Sequence, residues 1–194
     1  MKQDIILAGV GGQGTLSIAY VIDQAALKKG LNLKQAEVHG MAQRGGAVQS
    51  HLRLSSELIY SDLIPKGAAD MILSVEPLEA LRYVDYLRPD GIIVASSTPY
   101  VNIPDYPPLE DVLKAVRGFK RSVIVDSGKL ALDGGSTRAQ NMVMLGAASR
   151  FLVLEEGDLR EFIRELFKGR GESVVATNLK AFELGRAASA DCVA

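Results

Sequence analysis

The chain has 194 residues, with 22 Lys and Arg against 23 Asp and Glu, which gives a formal net charge of −1. This balance argues against nucleic acid as the main partner, because nucleic acid binding requires a basic face. A length near 200 predicts one domain, residues 1–194, that can fold without a metal or a disulfide. The one cysteine, Cys192, excludes an intrachain disulfide and an iron–sulfur cluster held by this chain alone.

Membrane insertion and secretion are also not expected. No apolar run approaches the roughly 20 residues that cross a bilayer. The apolar stretch at 5–10 is too short for the core of a signal peptide. We therefore expect no membrane partner and a cytoplasmic location.

The first third of the chain predicts a strand, a helix and a second strand. Residues 3–10 form an apolar run that stops at glycines, which is typical of a buried parallel strand. Residues 15–29 carry apolar side chains at helical spacing, and Gly30 suits a helix end. With a strand at 31–38, this order predicts a β-α-β unit with a right-handed crossover.

Residues 39–65 break this rhythm. Apolar and polar side chains alternate from 48 to 55, which predicts a half-exposed strand. Residues 58–60 are its expected hairpin partner, and together they predict an inserted antiparallel edge. The segment should also expose an apolar surface that a partner covers.

The rest of the chain returns to alternating strands and helices. The predicted fold class is α/β, a single Rossmann-like domain with a mostly parallel sheet, helices on both faces and an inserted antiparallel hairpin region. The predicted elements are strands at 70–75, 92–95 and 123–125, a turn at 89–91, and helices at 76–87, 109–116, 138–154, 156–168 and 174–190.

The first candidate site is the glycine-rich loop at residues 9–14, which reads Gly-Val-Gly-Gly-Gln-Gly between a strand and a helix. In that context glycines let the backbone approach a phosphate, and the start of the helix offers N–H groups to an anion. The open alternative is a tight turn that needs glycine only for its backbone angles. The candidate contacts are Gly11, Gly12, Gln13, Gly14 and Thr15.

The second candidate is the segment 37–46, which follows the predicted second strand. Arg44 can hold a phosphate or carboxylate through two hydrogen bonds, and the alternative is a hairpin turn with a solvated arginine. Glu37 lies 23 residues after Gly14, a spacing at which an acid can bind a ribose hydroxyl. This keeps a self-sufficient dinucleotide-binding oxidoreductase as the alternative function. His39 is expected to be a structural or interface residue, and His51 is expected to be structural.

The third candidate is a polar group expected at the same rim as the glycine-rich loop. Asp126, Ser127 and Gly128 follow a predicted strand, and the loop 133–138 leads to Asn141. Ser136 or Thr137 in that loop is expected to cap a helix rather than to contact a ligand.

Four segments of the chain resemble the gamma-type domain of the 2-oxoacid:ferredoxin oxidoreductases. They are 9–14, 39–46 with 50–53, 141–146 and 178–185, and the resemblance covers nearly the whole chain. The stretch 37–46, with His-Gly-Met-Ala-Gln before Arg-Gly-Gly, is most similar to the small subunit of the indolepyruvate branch.

This resemblance implies a reaction of a larger complex. In the family, a 2-oxoacid is decarboxylated on thiamine diphosphate, electrons pass through iron–sulfur clusters to ferredoxin, and the acyl group is transferred to coenzyme A. The indolepyruvate branch would convert aryl pyruvates into aryl-acetyl-CoA and carbon dioxide.

The chain lacks the parts that this reaction needs. One cysteine cannot hold a cluster, and no Gly-Asp-Gly motif followed by Asn about 30 residues later marks a thiamine diphosphate and magnesium site. The resemblance therefore implies that these groups lie on a large catalytic partner subunit and that ferredoxin is reached through the complex. No catalytic residue, metal or resident cofactor is expected here, so the isolated chain should be inactive. When the partner is absent, a second copy of the chain is the alternative that could bury the apolar surface expected in the segment 39–65, as a homodimer.

The resemblance also gives the glycine-rich loop a role. In the family this loop lies near the thiamine site or the coenzyme A phosphates. Carried over, Gly11, Gly12, Gln13, Gly14 and Thr15 become candidate cofactor contacts. Arg44 is a weaker candidate of the same kind.

Overall fold

The computed structural model describes residues 1–39, 45–101 and 103–190. Within these ranges there are six strands and seven α-helices. The strands are β1 (Lys2–Val10), β2 (Asn32–His39), β3 (Ala47–Ser55), β4 (Ala69–Ser74), β5 (Leu87–Ser96) and β6 (Ser122–Val125). The α-helices are α1 (Thr15–Lys28), α2 (Pro77–Arg82), α3 (Leu109–Arg117), α4 (Ser127–Asp133), α5 (Gln140–Ala148), α6 (Glu156–Phe167) and α7 (Glu172–Ala188). Single 3₁₀ turns lie at Val84–Tyr86, Thr137–Ala139, Ser149–Phe151 and Lys168–Arg170.

The six strands form one sheet in the order β2-β3-β1-β4-β5-β6. The pairs β1–β4, β4–β5 and β5–β6 are parallel, whereas β3 is antiparallel to both β1 and β2. The mostly parallel α/β sheet with an antiparallel insertion is thus confirmed. None of the described helices is both long and apolar enough to cross a bilayer.

The position of β3 corrects two predictions. The strands β1 and β2 flank α1 and run parallel to each other, which confirms the predicted β-α-β unit, but they do not pair because β3 lies between them. Since β3 has a hydrogen-bonded neighbour on each side, it is an interior strand rather than a half-exposed edge, and Ser50, His51 and Leu52 are all buried. Residues 58–60 form no strand, so β2 takes the place of the expected hairpin partner.

Helices cover both faces of the sheet, as predicted. Side chains alternate between the faces along each strand. Ile5 and Leu73 pack in the larger core with residues of α1, α5, α6 and α7, whereas Ile6, Ile72 and Ile93 pack in a smaller core with residues of α2 and α3.

Helices α5 and α7 approach each other at two glycines. A Cβ on Gly146 would lie 2.0 Å from the Phe182 carbonyl oxygen, and a Cβ on Gly185 would lie 1.9 Å from that of Val143. No side chain fits at either position. This contact explains the glycines that end the segments 141–146 and 178–185.

Several element boundaries differ from prediction for local reasons. The expected turn at 89–91 lies inside β5. A register shift opposite the stretch between Ala69 and Met71 interrupts the pairing there and tolerates Pro89, which has no N–H to donate. The long helix expected at 138–154 is only α5, since 3₁₀ turns flank it at both ends. The short helix α4 was not predicted. Pro77 opens α2 as expected.

Candidate functional site

A cleft of about 460 Å³ lies at the carboxyl edge of the parallel strands, next to the glycine-rich loop. Ligands of open α/β sheets bind at this edge, because the loops that follow neighbouring strands meet there. We call it the glycine-loop cleft. Its lining residues are Gly12 and Gln13 after β1, Val75 after β4, Thr98, Pro99 and Tyr100 after β5, and Thr137, Arg138 and Gln140 at the start of α5.

Two glycines give the loop its shape. Gly12 has a φ of +104° and Gly14 a φ of +80°, backbone angles that favour glycine. A Cβ on Gly12 would meet no heavy atom within 4 Å. A Cβ on Gly14 would lie 2.5 Å from the Nδ2 atom of Asn141. A Cβ at Gly12 is therefore disfavoured only by the backbone angles, whereas a Cβ at Gly14 would also displace the Asn141 amide.

The Gln13 side chain bonds to the ends of two strands. The Val10 N–H donates to Gln13 Oε1 at 2.8 Å, and Gln13 Nε2 donates to the Val75 carbonyl oxygen at 3.4 Å. Both polar atoms of the amide are thus engaged with the protein backbone. Gln13 braces the loop between β1 and β4.

Gly11 joins the glycine-rich loop to the second candidate segment. Its N–H donates to the Gly46 carbonyl oxygen at 2.8 Å, and the Gly45 N–H donates to the Gly11 carbonyl oxygen at 3.3 Å. The structure thus brings the described end of segment 37–46 to the first loop. Arg44 lies outside the described residues.

The start of α1 lies two residues after Gln13, which lines the cleft. Thr15 is the first residue of α1 and is buried, and Gly14 precedes it with no side chain capping the helix. Within the described residues, the N–H groups of Gly12, Gly14 and Thr15 donate no hydrogen bond. These donors and the positive end of the helix favour an anion.

Arg138 is the one charged side chain among the cleft's described lining residues. It is exposed, and within the described residues its guanidinium group forms no ion pair. A guanidinium group can donate two parallel hydrogen bonds to the oxygens of one phosphate or carboxylate group. The electrostatic character of the cleft therefore matches an anionic ligand.

The carboxylate of Glu76, next to the cleft, connects α2 to the segment that follows β5. It is buried and accepts hydrogen bonds from the Glu79 N–H at 2.8 Å, from the Tyr100 N–H at 3.3 Å and from the Tyr106 hydroxyl. Burial, followed by the bond to Glu76, raises the pKa of Tyr106 above its usual range. These hydrogen bonds fix the segment that carries Tyr100 beside the cleft.

The third candidate group lies at the same rim but serves the fold. Asp126 caps α4 by accepting from the Lys129 N–H at 2.9 Å. Ser127 is buried, with its Oγ 2.7 Å from that of Ser96. The Ser136 hydroxyl accepts from the Arg138 N–H at 3.3 Å, which confirms the predicted cap.

Asn141, in contrast, contacts the glycine-rich loop directly. Its Nδ2 donates to the Gly14 carbonyl oxygen at 3.4 Å. Two further lining residues, Thr98 and Tyr100, were not predicted. Their only sequence signal is the polar stretch that follows a buried strand.

The alternative dinucleotide site is disfavoured by the strand order. Glu37 lies on β2, and β3 separates β2 from β1, so β2 is about 10 Å from β1 across the sheet, whereas neighbouring strands are about 5 Å apart. Its carboxylate oxygens are buried. An acid that binds a ribose hydroxyl would have to end the strand beside β1.

His51 is structural, as expected. Its Nδ1 accepts from the Ile64 N–H at 3.0 Å, and its ring packs edge-on against Tyr86 at 5.2 Å. Burial, and then the charge of Arg53, lower the pKa of His51. The side chain of His39 lies outside the described part of the chain. Within that part, no group of three or more His, Cys, Asp or Glu side chains is placed to hold a metal.

A mostly parallel α/β sheet with a glycine-rich loop at its carboxyl edge is typical of Rossmann-like α/β proteins, which bind anionic ligands at this edge. Residues 4–188 match the family model described as pyruvate ferredoxin/flavodoxin oxidoreductase, and the chain belongs to that family. The subunit IorB of indolepyruvate oxidoreductase from Thermococcus kodakarensis is 36% identical over 197 residues, which cover 95% of each chain. The IorB subunit from Archaeoglobus fulgidus is 35% identical over 95% of this chain and 94% of that one.

Solved structures agree with this assignment. The 2-oxoglutarate:ferredoxin oxidoreductase from Magnetococcus marinus, with 2-oxoglutarate, coenzyme A and succinyl-CoA bound, matches with a TM-score of 0.77 and 26% identity. That match covers 97% of this chain but 31% of the other, so this chain spans about a third of its length. The gamma subunit of a keto/oxoacid ferredoxin oxidoreductase from Geobacter sulfurreducens matches with a TM-score of 0.67 and 25% identity, over 96% of this chain and 98% of that one.

Proposed function

We propose that this chain is the small, non-catalytic subunit of an indolepyruvate:ferredoxin oxidoreductase. The complex would decarboxylate an aryl pyruvate, reduce ferredoxin and form an acyl-CoA. The choice of substrate is supported by the IorB subunits at 34–36% identity, since relatives named for ketoisovalerate and 2-oxoglutarate enzymes reach only 26–29%.

The observation that carries this proposal is the character of the glycine-loop cleft. Its lining contains the backbone N–H of Gly12, which is free within the described residues, and the guanidinium group of Arg138, and the start of α1 follows Gly12 closely in the chain. Among its described lining residues there is no histidine, cysteine, lysine or carboxylate to act as a nucleophile or a base. Such a cleft suits the binding and orientation of an anion, and its hydroxyl groups, those of Thr98, Tyr100 and Thr137, have no base beside them in the described lining.

The anion that we assign to the cleft is a phosphate group of coenzyme A. Coenzyme A supplies the thiol that accepts the acyl group, and its phosphates carry the negative charge that the cleft favours. The Magnetococcus relative, as described above, contains coenzyme A. The diphosphate of the partner's thiamine cofactor is the other group of the same chemistry. Gly11 and Gln13 would hold the loop in place for either group, and Arg44 stays a proposed contact.

The redox groups do not fit this chain. The sequence has one cysteine, whereas a cluster requires several thiolates. We therefore place thiamine diphosphate, magnesium and the clusters on a large catalytic subunit, and ferredoxin would bind through the complex. The apolar side chains of Leu58, Tyr60 and Leu63, which are 66%, 89% and 56% exposed, form the surface proposed for that partner.

Reconstitution of the complex tests whether the reaction requires a large catalytic subunit. The purified chain should be colourless and should not reduce a viologen dye with indolepyruvate and coenzyme A. Addition of the large subunit should restore dye reduction that depends on both substrates. Turnover by the single chain, with no second subunit detectable by mass spectrometry, would overturn the proposal, as would binding of a flavin or of NADH at micromolar concentration.

A further inference from the structure

A second cavity, of about 560 Å³, lies at the opposite edge of the sheet from the glycine-loop cleft. Its walls include Gln3 of β1, Asp70 of β4, Arg88 of β5 and Ser122 of β6. Because these strands run parallel, their amino ends meet at one edge. We call it the amino-edge cavity, and the proposed function does not use it.

Basic side chains dominate the amino-edge cavity. The lining contains one carboxylate, that of Asp70, and five cationic groups. These belong to Lys2, Arg88, Lys120, Arg121 and Arg150. Arg88 pairs with Asp70 at 2.8 Å. Lys2 and Lys120 pair with carboxylates that do not line the cavity, those of Asp4 and Asp90.

Arg121 and Arg150 have no such partners. Arg121 Nη1 donates to the Asp90 carbonyl oxygen at 3.2 Å, and Arg150 Nε donates to the Arg186 carbonyl oxygen at 2.8 Å. Within the described residues, neither guanidinium group pairs with a carboxylate. Each therefore keeps N–H donors that match the oxygens of an anion.

The wall beside Arg150 is held in place by a buried amide. Gln3 Nε2 donates to the Phe151 carbonyl oxygen at 2.7 Å, and its Oε1 accepts from the Val153 N–H at 3.0 Å. Phe151, Val153 and the buried Ile92 add apolar surface. The cavity thus combines one fixed wall with two guanidinium groups that keep free donors.

We propose that the amino-edge cavity binds a small polyanion, one that carries two or more phosphate or carboxylate groups, with Arg121 and Arg150 as direct ligands. The volume lies within the range of about 300–1,000 Å³ that is typical of small-molecule sites. A concave site of this size fits a small molecule better than it fits the flat acidic surface of a protein. The proposal is independent of the function proposed for the glycine-loop cleft.

Calorimetric titration of the full chain with pyrophosphate and, separately, with citrate tests this proposal at low ionic strength. The expected result is binding of one probe molecule that depends on Arg121 and Arg150, separate from any probe bound at the glycine-loop cleft. Tighter binding of pyrophosphate assigns the site to phosphorylated compounds, and tighter binding of citrate assigns it to polycarboxylates. The double variant Arg121→Gln with Arg150→Gln should bind the preferred probe at least tenfold more weakly.

The matched control is the double variant Arg164→Gln with Lys180→Gln. It makes the same change in net charge at exposed positions that do not line the cavity, and it should bind like the wild type. Equal weakening in both double variants, or no weakening in the first, would overturn the proposal. So would the absence of binding by both probes, or binding of a poly-glutamate peptide alone. Circular dichroism of each variant verifies the fold.

Discussion

Asn141 and Gly14 are in contact where α5 meets the glycine-rich loop. The Asn141 side-chain amide donates to the Gly14 carbonyl oxygen at 3.4 Å, and a Cβ on Gly14 would lie 2.5 Å from the same nitrogen. Two segments that are 127 residues apart in sequence thus fix each other's position. The loop shape depends on this contact as well as on glycine backbone angles.

The Gly14→Ala variant should be less stable than the wild type by about 1–3 kcal/mol, because it combines a strained backbone with a clash. Urea denaturation measures the loss. Gly12→Ala is the control, since Gly12 has a similar positive φ but open space around it. If both variants lose the same stability, the contact with Asn141 adds nothing.

The Gln13→Ala variant should lose stability even without any ligand. It leaves the Val10 N–H and the Val75 carbonyl oxygen without their side-chain partner, at a cost of about 1–3 kcal/mol. Thermal unfolding of the isolated chain checks this. Gln24→Ala, on α1, is the control and should change little. Unchanged stability of Gln13→Ala, combined with weaker ligand binding, would show that Gln13 is a ligand contact rather than a brace.

Gly146→Ala should destabilise the chain by about 3 kcal/mol or more, because its Cβ would overlap the Phe182 carbonyl oxygen of α7. Gly157→Ala is the matched control, since Gly157 lies on α6 with no heavy atom near its Cβ position. That control should gain about 0.5–1 kcal/mol. Urea denaturation compares the two, and a similar effect of both substitutions would contradict the close packing of α5 and α7.

Asp23 predicts a pH dependence of stability. Burial raises the pKa of its carboxyl to about 7, and within the described residues its buried Oδ1 has no hydrogen-bond partner. In the unfolded chain this group ionises near pH 4. Between about pH 4 and pH 7 the folded state therefore binds the extra proton, so stability falls as the pH rises through this window.

The Asp23→Asn variant removes that dependence. Its stability relative to the wild type should rise between pH 5 and pH 8, as measured by urea denaturation at each pH. Asp133→Asn, at an exposed position, is the control and should show no such trend. A constant difference between Asp23→Asn and the wild type would show that the Asp23 pKa is normal.

The sequence predicted the parallel strands and the glycine-rich loop because their signals are local. A short apolar run that stops at glycines identifies β1, and helical spacing identifies α1. The pairing of β3 with both β1 and β2 depends on contacts between distant residues, such as Ile5 opposite Leu52, and no local pattern encodes it.

The candidate site was predicted in part for the same reason. Gly12 and Gly14 belong to a recognisable motif, whereas Tyr100 and Arg138 reach the cleft only because the fold brings β5 and α5 beside the loop. The role of Gln13 was also hidden, since its partner Val75 is 62 residues away.

The most direct test of the central claim is the KM for coenzyme A of the reconstituted complex that carries Arg138→Gln. Loss of one exposed charged contact to a phosphate group should raise this KM roughly tenfold. The KM for indolepyruvate and kcat at saturating coenzyme A should stay unchanged if the cleft, as proposed, only orients a co-substrate. An unchanged KM for coenzyme A, or a loss of kcat alone, would contradict the account.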